Sequence, residues 1–266
     1  METNGIHDNA IVYSCYYERS REGEQFVPEH VLSYQLSGTL ELNDGHKTYV
    51  YQPGDLRFVK RNRLVKFSKQ PPENGEFRSL SIYLSQEVLQ DFCKEYPYSA
   101  VPRASGDAVL ELPSSPLLRS YIESLLPYEN AQAPFSPSLL ALKLKEAILV
   151  LLQTAPELKD VLFDFDPPGK IDLAAFMNRN FHFNVQLSRF AYLTGRSLAA
   201  FKRDFEKIFH TSPGKWLVQR RLEEAYYQIK NKGRAPSDVY LDLGFEDLSH
   251  FSFAFKKVYG ISPSRV

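Results

Sequence analysis

Arg196, Ala200, Arg203 and Lys207 share one side of a stretch that runs from Ser197 to about Phe209. Leu198, Phe201, Phe205 and Ile208 recur at i, i+3, i+7 and i+10, one face of a 3.6-residue period, and at 100° per residue the three cations fall opposite. Cations gathered on a helix face suit a polyanion, the guanidinium as a planar fork and the ammonium as a point charge. Such a face has to be held outward by a buried support. Gln186 to Leu193 supplies one, a shorter helix with Leu187, Phe190, Ala191 and Leu193 apolar. Thr194-Gly195 makes the turn between the two, because glycine tolerates the left-handed backbone that ends a helix. Ser197 then caps the second helix. The layout is that of a DNA-reading helix-turn-helix.

A repeat doubles this unit. Shifting the chain by 50 positions lays SLAAFKRDFEKIFHTSP over DLSHFSFAFKKVYGISP. Leu193, Leu198, Phe201, Phe205, Lys207, Ser212 and Pro213 meet Leu243, Leu248, Phe251, Phe255, Lys257, Ser262 and Pro263. Ile208 and Phe209 meet Val258 and Tyr259, so the matches fall mainly on the expected buried face. Between the copies, Pro213 starts a helix reaching about Lys230. Ser237 is expected to cap the next helix, Gly244 to make the second turn, and Asp247 to begin a helix ending at Tyr259. Residues 168–266 hold 16 Lys and Arg against 9 Asp and Glu, while residues 1–167 hold 16 against 23. The zero net charge of the 266-residue chain therefore hides a basic C-terminal third, which favours a polyanion partner for that third alone.

The front of the chain has a different period. Short β-like runs follow one another: Ile11–Tyr17, His30–Ser37, Thr39–Asn43, Lys47–Tyr51, Leu56–Lys60, Leu64–Lys69 and Phe77–Leu84. Turn signals separate them, of which Asn43-Asp44-Gly45 is a strong hairpin signal. These strands predict a small antiparallel barrel or sandwich. Gln86–Tyr96 is expected to be helical, and Pro97 to Pro116 loop-rich with a short apolar piece at Val109–Leu112. Helices follow at Pro116 to about Tyr128 and Ser138 to about Thr154. In the second, Leu140, Leu144, Ala147 and Leu151 form a heptad-like seam. This pair could close the barrel core or offer apolar surface to a second subunit. The Pro-Pro-Gly break places a linker at 164–169.

These features resemble the AraC/XylS transcriptional regulators. The matching signature runs from Ala191 through Leu193-Thr194-Gly195 and Ser197 to Phe205, then Ser212-Pro213 and Arg221-Leu222-x-x-Ala225. It continues through Gly244-Phe245, Phe251, Phe255-Lys256-Lys257, Gly260 and Ser262-Pro263, and covers essentially all of residues 170–266. SYQLSGTLEL followed by YQPGDLRFV is similar, less specifically, to the family's cupin-like effector domain. The resemblance implies an α+β two-domain protein. Residues 1–113 would form the cupin-like antiparallel β-barrel, 114–163 a helical pair for packing and dimerisation, and 170–266 an all-α bipartite helix-turn-helix domain. It also implies base-reading side chains on the second helix of each unit, here Ala199, Lys202 and Arg203, and Ser249, His250 and Phe253. Arg203 is the best placed, since a guanidinium can bond guanine O6 and N7 bidentately. Arg196, Lys202, Lys207, Lys256 and Lys257 are expected at phosphates, although Lys207 could equally be solvated. Phe253 could touch a thymine methyl or pack on its own domain. Tyr240 stands where the family usually has a small alanine, so that core must pack differently.

The expected function is a sequence-specific DNA-binding transcription regulator, an activator that recruits RNA polymerase by resemblance. The first domain would sense a small-molecule effector, bind a regulatory protein, or serve as a homodimerisation module. The sequence names no ligand-binding residue. The competing reading is a cupin-type enzyme or metal-binding protein. Metal-binding cupins use a His-x-His pair, a carboxylate and a further His. Here His30 stands with only His7 and His46 in the first domain, and no His-x-His occurs. His30 is read as structural and Pro53-Gly54-Asp55 as a turn, so no catalysis, metal or cofactor is expected. Two cysteines, Cys15 and Cys93, argue against a disulfide framework and for a reducing compartment. No charged-then-apolar leader opens the chain and no apolar run approaches the ~18 residues of a membrane span, so a cytoplasmic protein without membrane contact is expected.

Overall fold

In the computed structural model, residues 10–20, 25–101, 106–129 and 135–266 are described. His7 lies outside them. The strands in chain order are β1 (Ile11–Tyr16), β2 (Phe26–Val27), β3 (His30–Ser37), β4 (Thr39–Asn43), β5 (Thr48–Tyr51), β6 (Leu56–Val59), β7 (Arg63–Leu64), β8 (Lys66–Gln70), β9 (Phe77–Leu84) and β10 (Val109–Glu111). The helices are α1 (Gln86–Glu95), α2 (Pro116–Leu125), α3 (Pro137–Thr154), α4 (Lys159–Leu162), α5 (Leu173–Asn180), α6 (Leu187–Leu193), α7 (Leu198–Phe209), α8 (Pro213–Lys232), α9 (Pro236–Asp242) and α10 (Leu248–Tyr259). The chain divides into two compact units, the first ending at Asp166 and the second resuming at Pro167.

The first unit is built on two antiparallel sheets. One has five strands in the order β1-β9-β3-β6-β10, and the other has three in the order β5-β4-β8. Alternation decides what each face meets. Leu32, Phe58, Leu80, Ile82 and Leu84 point to one side of the larger sheet, where they pack with Leu89 and Phe92 of α1, Leu118, Tyr121 and Ile122 of α2, and Leu144, Ala147, Ile148 and Leu151 of α3. Val31, Val59, Phe77 and Val109 point to the other side and meet Leu40, Leu42, Tyr49 and Tyr51 of the smaller sheet. Most of the seam predicted on α3 therefore closes the core over the larger sheet, with Leu140 half-buried at its start. Leu117, Leu142 and Leu149 remain exposed on α2 and α3. The apolar piece at Val109–Leu112 proves to be a strand, β10, paired with β6.

His30 is buried on the helix side. Its Nδ1 accepts the Arg61 backbone N–H at 3.2 Å, and its ring stacks on Phe58 with centroids 5.4 Å apart. Burial, reinforced by the positive charge of Arg61, holds the imidazole down to about 3. An unfolded chain takes up that proton near pH 6.5. Stability from a neutral His30 is therefore complete above about pH 6.5 and drains away as pH falls toward 3. Urea midpoints of the first unit's transition should fall between pH 7 and pH 4.5, and His30→Leu should flatten that slope. A slope unchanged by the substitution would assign the acid sensitivity to other groups.

Candidate nucleic-acid interface

The second unit consists of two helix-turn-helix pairs, α6–α7 and α9–α10, joined by α8. Ser197 caps α7 by accepting the Ala200 N–H at 3.2 Å, and Asp247 caps α10 by accepting the His250 N–H at 2.7 Å. Both turns use a glycine at positive φ, Gly195 at 64° and Gly244 at 82°. Ser237 does not cap α9: Pro236 takes the first helical position, which moves the cap back to Ala235. Helix α5, capped by Asp172, has no counterpart among the sequence expectations.

The buried side of each recognition helix is narrower than its periodicity suggested. Phe201 and Phe205 of α7, and Phe251 and Phe255 of α10, are fully buried. Leu198 and Ile208 are 40% and 44% exposed, and the corresponding Leu248 and Val258 are exposed as well. Helix α8 carries a socket for each unit. Trp216 packs on Phe205 and Phe209, with centroids 5.6 Å and 4.7 Å away. Tyr226 packs on Phe255 and Tyr259, at 6.2 Å and 4.6 Å. Ten residues of helix separate the sockets by about 15 Å along the axis and about 80° around it, which fixes how the two units are offset. Tyr240 is half-buried and lies over Phe251, with ring centroids 6.4 Å apart.

Arg221 of α8 locks this arrangement. Its buried guanidinium donates to Phe181 O at 2.7 Å, to Phe183 O at 2.7 Å and to Gly244 O at 2.8 Å. One side chain thus ties the segment ahead of the first pair to the turn of the second. Burial pushes its pKa down to about 10, which still leaves it charged at neutral pH.

On the outer faces, Ala199, Lys202, Arg203 and Lys207 of α7 are exposed, as are Ser249, His250, Phe253, Lys256 and Lys257 of α10. The Arg203 side chain is 66% exposed, with its Nε 3.7 Å from Asp204 Oδ1. Phe253 is 71% exposed and so does not pack on its own domain. Arg196 corrects an expectation. Its side chain is only 8% exposed, with Nε bonded to Asp204 Oδ2 at 3.1 Å and Nη1 donating to Ile171 O and Thr194 O. It precedes the cap of α7, so the helical projection that set it outward does not apply to it. The hydrogen bond from Arg196, with lesser help from Lys170 and Arg203, holds the Asp204 carboxyl below its ordinary range. Among the described residues, no group of three or more His, Cys, Asp or Glu is placed to hold a metal ion. Among them, too, no helix is long and apolar enough to cross a membrane.

Two helix-turn-helix pairs on one shared helix, with exposed cations on the second helix of each, define a sequence-specific DNA-binding transcription regulator. Comparison with known proteins agrees on both units. Residues 30–161 match the family described as the ExsA N-terminal regulatory domain, and residues 190–266 match a helix-turn-helix domain family. The chain belongs to the AraC/XylS family of regulators. It is 28% identical to the HTH-type transcriptional regulator ExsA of Pseudomonas aeruginosa, over 96% of this chain and 91% of the relative. It is 25% identical to the virulence regulon transcriptional activator VirF of Yersinia enterocolitica, over 86% of each. A crystal structure of apo ToxT from Vibrio cholerae covers 96% of both chains, with 12% identity and a TM-score of 0.46.

Proposed function

We propose that the protein activates transcription by seating α7 and α10 in successive major-groove segments of its operator, with α7 choosing most of the sequence. The observation that carries this reading is the exposed face of α7, where Lys202, Arg203 and Lys207 follow the small Ala199. A small residue beside cations lets a helix sit deep in the groove. Helix α10 presents Lys256 and Lys257 only in its last turn, and Glu246 and Asp247 stand just ahead of its start. Acidic residues there suit the helix dipole but weaken attraction to phosphate. The exposed ring of Phe253 suits contact with a thymine methyl. Lys207, Lys256 and Lys257 are assigned to phosphate, and Arg196 is withdrawn from that set.

The first unit is assigned a regulatory role that answers to a small ligand or a regulatory protein. The apolar residues left exposed on α2 and α3, Leu117, Leu142 and Leu149, suit a second copy of the chain. A non-enzymatic, cytoplasmic regulator that recruits RNA polymerase completes the reading. Its test is a hydroxyl-radical footprint on operator DNA. Each chain should protect two segments about one helical turn, ~34 Å, apart on one side of the duplex. Protection of a single segment per chain would refute the two-helix mode.

A further inference from the structure

We propose that Gly169-Lys170-Ile171, where the linker ends, position the base-reading arginine of α7: seated on the α6–α7 turn, they hold Arg196 on Asp204 and so leave Arg203 available to a base. This rests on the reading of Arg203 as a base contact and names what positions it. The seat is backbone against backbone. A Cβ at Gly195 would lie 2.5 Å from Gly169 C and 2.6 Å from Gly169 O and Lys170 N, so only glycine lets the chain pass. Arg196, the next residue, fastens the seat, its Nη1 donating to Ile171 O at 3.0 Å and to Thr194 O at 2.7 Å. The same guanidinium reaches through Nε to Asp204 Oδ2 at 3.1 Å. Lys170 approaches that oxygen too, with Nζ 4.0 Å away.

Asp204 is where this seat meets the reader. It follows Arg203 on α7, and Arg203 Nε stands 3.7 Å from its other oxygen, Oδ1. Arg196, Lys170 and Arg203 thus face one carboxylate, and geometry ranks them. The Arg196 side chain is 8% exposed and makes a hydrogen bond of ordinary length. Those of Lys170 and Arg203 are 69% and 66% exposed and reach the acid only at ion-pair range. A charged hydrogen bond outweighs an exposed ion pair, so Arg196 satisfies the acid and Arg203 is loosely held. Without Arg196, the adjacent Arg203 becomes the guanidinium partner of Asp204. The fork that a guanine edge needs is then taken by a carboxylate.

The second pair supplies the contrast. In the fifty-residue register, Arg196, Arg203 and Asp204 correspond to Glu246, Phe253 and Ala254. Where the outward guanidinium is replaced, the acid beside it and the arginine that satisfies that acid are replaced with it. Glu246 accepts from Asn184 Nδ2 at 2.9 Å instead. The Cβ position of Gly244 is met by His182 O and the Arg221 guanidinium. The clasp therefore goes with the reading arginine, and support common to both pairs does not account for it.

The test uses the full chain, first without DNA. The Asp204 carboxyl, which Arg196 holds below its ordinary range, is titrated by carbon-13 NMR. Arg196→Gln should raise its pKa, and Arg203→Ala should raise it further in that variant than it does in the wild type. Gly195→Ala, which pushes the chain off its seat, should act as Arg196→Gln does. Gly233→Ala, with the same φ of 64° and open space around the Cβ position, should leave the titration unchanged. Trypsin should cut after Lys170 sooner in Arg196→Gln and Gly195→Ala than in wild type. On DNA, Arg196→Gln should lower discrimination at the base pair read by Arg203 by about tenfold, and adding Asp204→Asn should restore most of it. An arginine with a merely structural role would not be rescued by removing the acid. If Arg203→Ala shifts the titration equally with and without Arg196, or if Asp204→Asn restores nothing that Arg196→Gln has lost, the proposal fails. Unchanged cleavage after Lys170 would remove the linker from the clasp and overturn it as well. If the titrations couple as expected while Arg203→Ala leaves discrimination intact, the clasp stands and the reading of Arg203 as a base contact falls.

Discussion

Gly244→Ala is expected to unfold the second unit at temperatures the wild type tolerates, and to abolish DNA binding by both helix-turn-helix pairs. A Cβ at Gly244 would lie 2.7 Å from His182 O and 3.0 Å from Arg221 Cζ, contacts that force something to move. Its φ of 82° adds a conformation that L side chains rarely adopt. What would move is the guanidinium that joins Phe181, Phe183 and Gly244. Each hydrogen bond to a charged group is worth about 1.5–3 kcal/mol, and a buried carbonyl left unpaired costs about 1–3 kcal/mol. Losing even two of the three removes several kcal/mol from a domain whose whole stability is about 5–15 kcal/mol. Gly233→Ala is the control. Gly233 also has a positive φ, 64°, but nothing lies within 4 Å of the Cβ position. It should lose only about 1 kcal/mol from backbone strain. Equal drops in melting temperature for the two variants would show that close approach at Gly244 plays no part.

The same contrast shows why parts of this molecule were legible in the sequence. The fifty-residue repeat could be read because Phe201, Phe205, Phe251 and Phe255 must all be buried, and burial leaves a periodic trace. The caps Ser197 and Asp247 and the turn glycines follow from local backbone chemistry and needed no tertiary information. The strand pattern of the first unit was readable for the same reason, since alternation across a half-buried sheet is local. Two of the failures share a cause: a side chain whose direction is set by packing and hydrogen bonding rather than by its place on a helix. Arg196 turns inward because Asp204, Ile171 and Thr194 accept its donors. Leu198 and Ile208 were counted as core on spacing alone, but the space beneath α7 is filled by the two phenylalanines and Trp216. Helix α5 is eight residues long and β10 only three, too short for either period to register.

The burial of Arg57 was not expected, although a signal was available. In Leu56-Arg57-Phe58-Val59, strand alternation alone puts Arg57 on the face of Val59. What the sequence withheld is that this face points into the unit. Both faces of the larger sheet are covered, one by helices and one by the second sheet, so neither face of the strand is free for an arginine to reach water.

Arg203→Ala should cost little stability but most of the operator discrimination at one base pair. The side chain is already in solvent, and its tie to Asp204 is long, 3.7 Å against the 3.1 Å of Arg196 to the same carboxylate. An exposed pair of that kind is worth about 0–1 kcal/mol, so Arg203 can leave it for a guanine edge almost freely. Asp204 stays in place when it does, because Arg196 holds it. A bidentate contact to guanine O6 and N7 contributes about 1–3 kcal/mol of discrimination, or roughly tenfold to more than a hundredfold. The expected result is a loss of that size on the cognate operator and almost none on an operator changed at the contacted base pair. Phe253→Ala should lose less, since a ring against a thymine methyl gives only apolar contact. Lys207→Ala should weaken specific and random DNA alike, and lower the salt dependence of binding by about one ion. If Arg203→Ala behaves like Lys207→Ala, with equal losses on both DNAs, then Arg203 is a phosphate contact. Sequence choice would then have to come from α10, where Ser249, His250 and Phe253 offer no guanidinium to replace it.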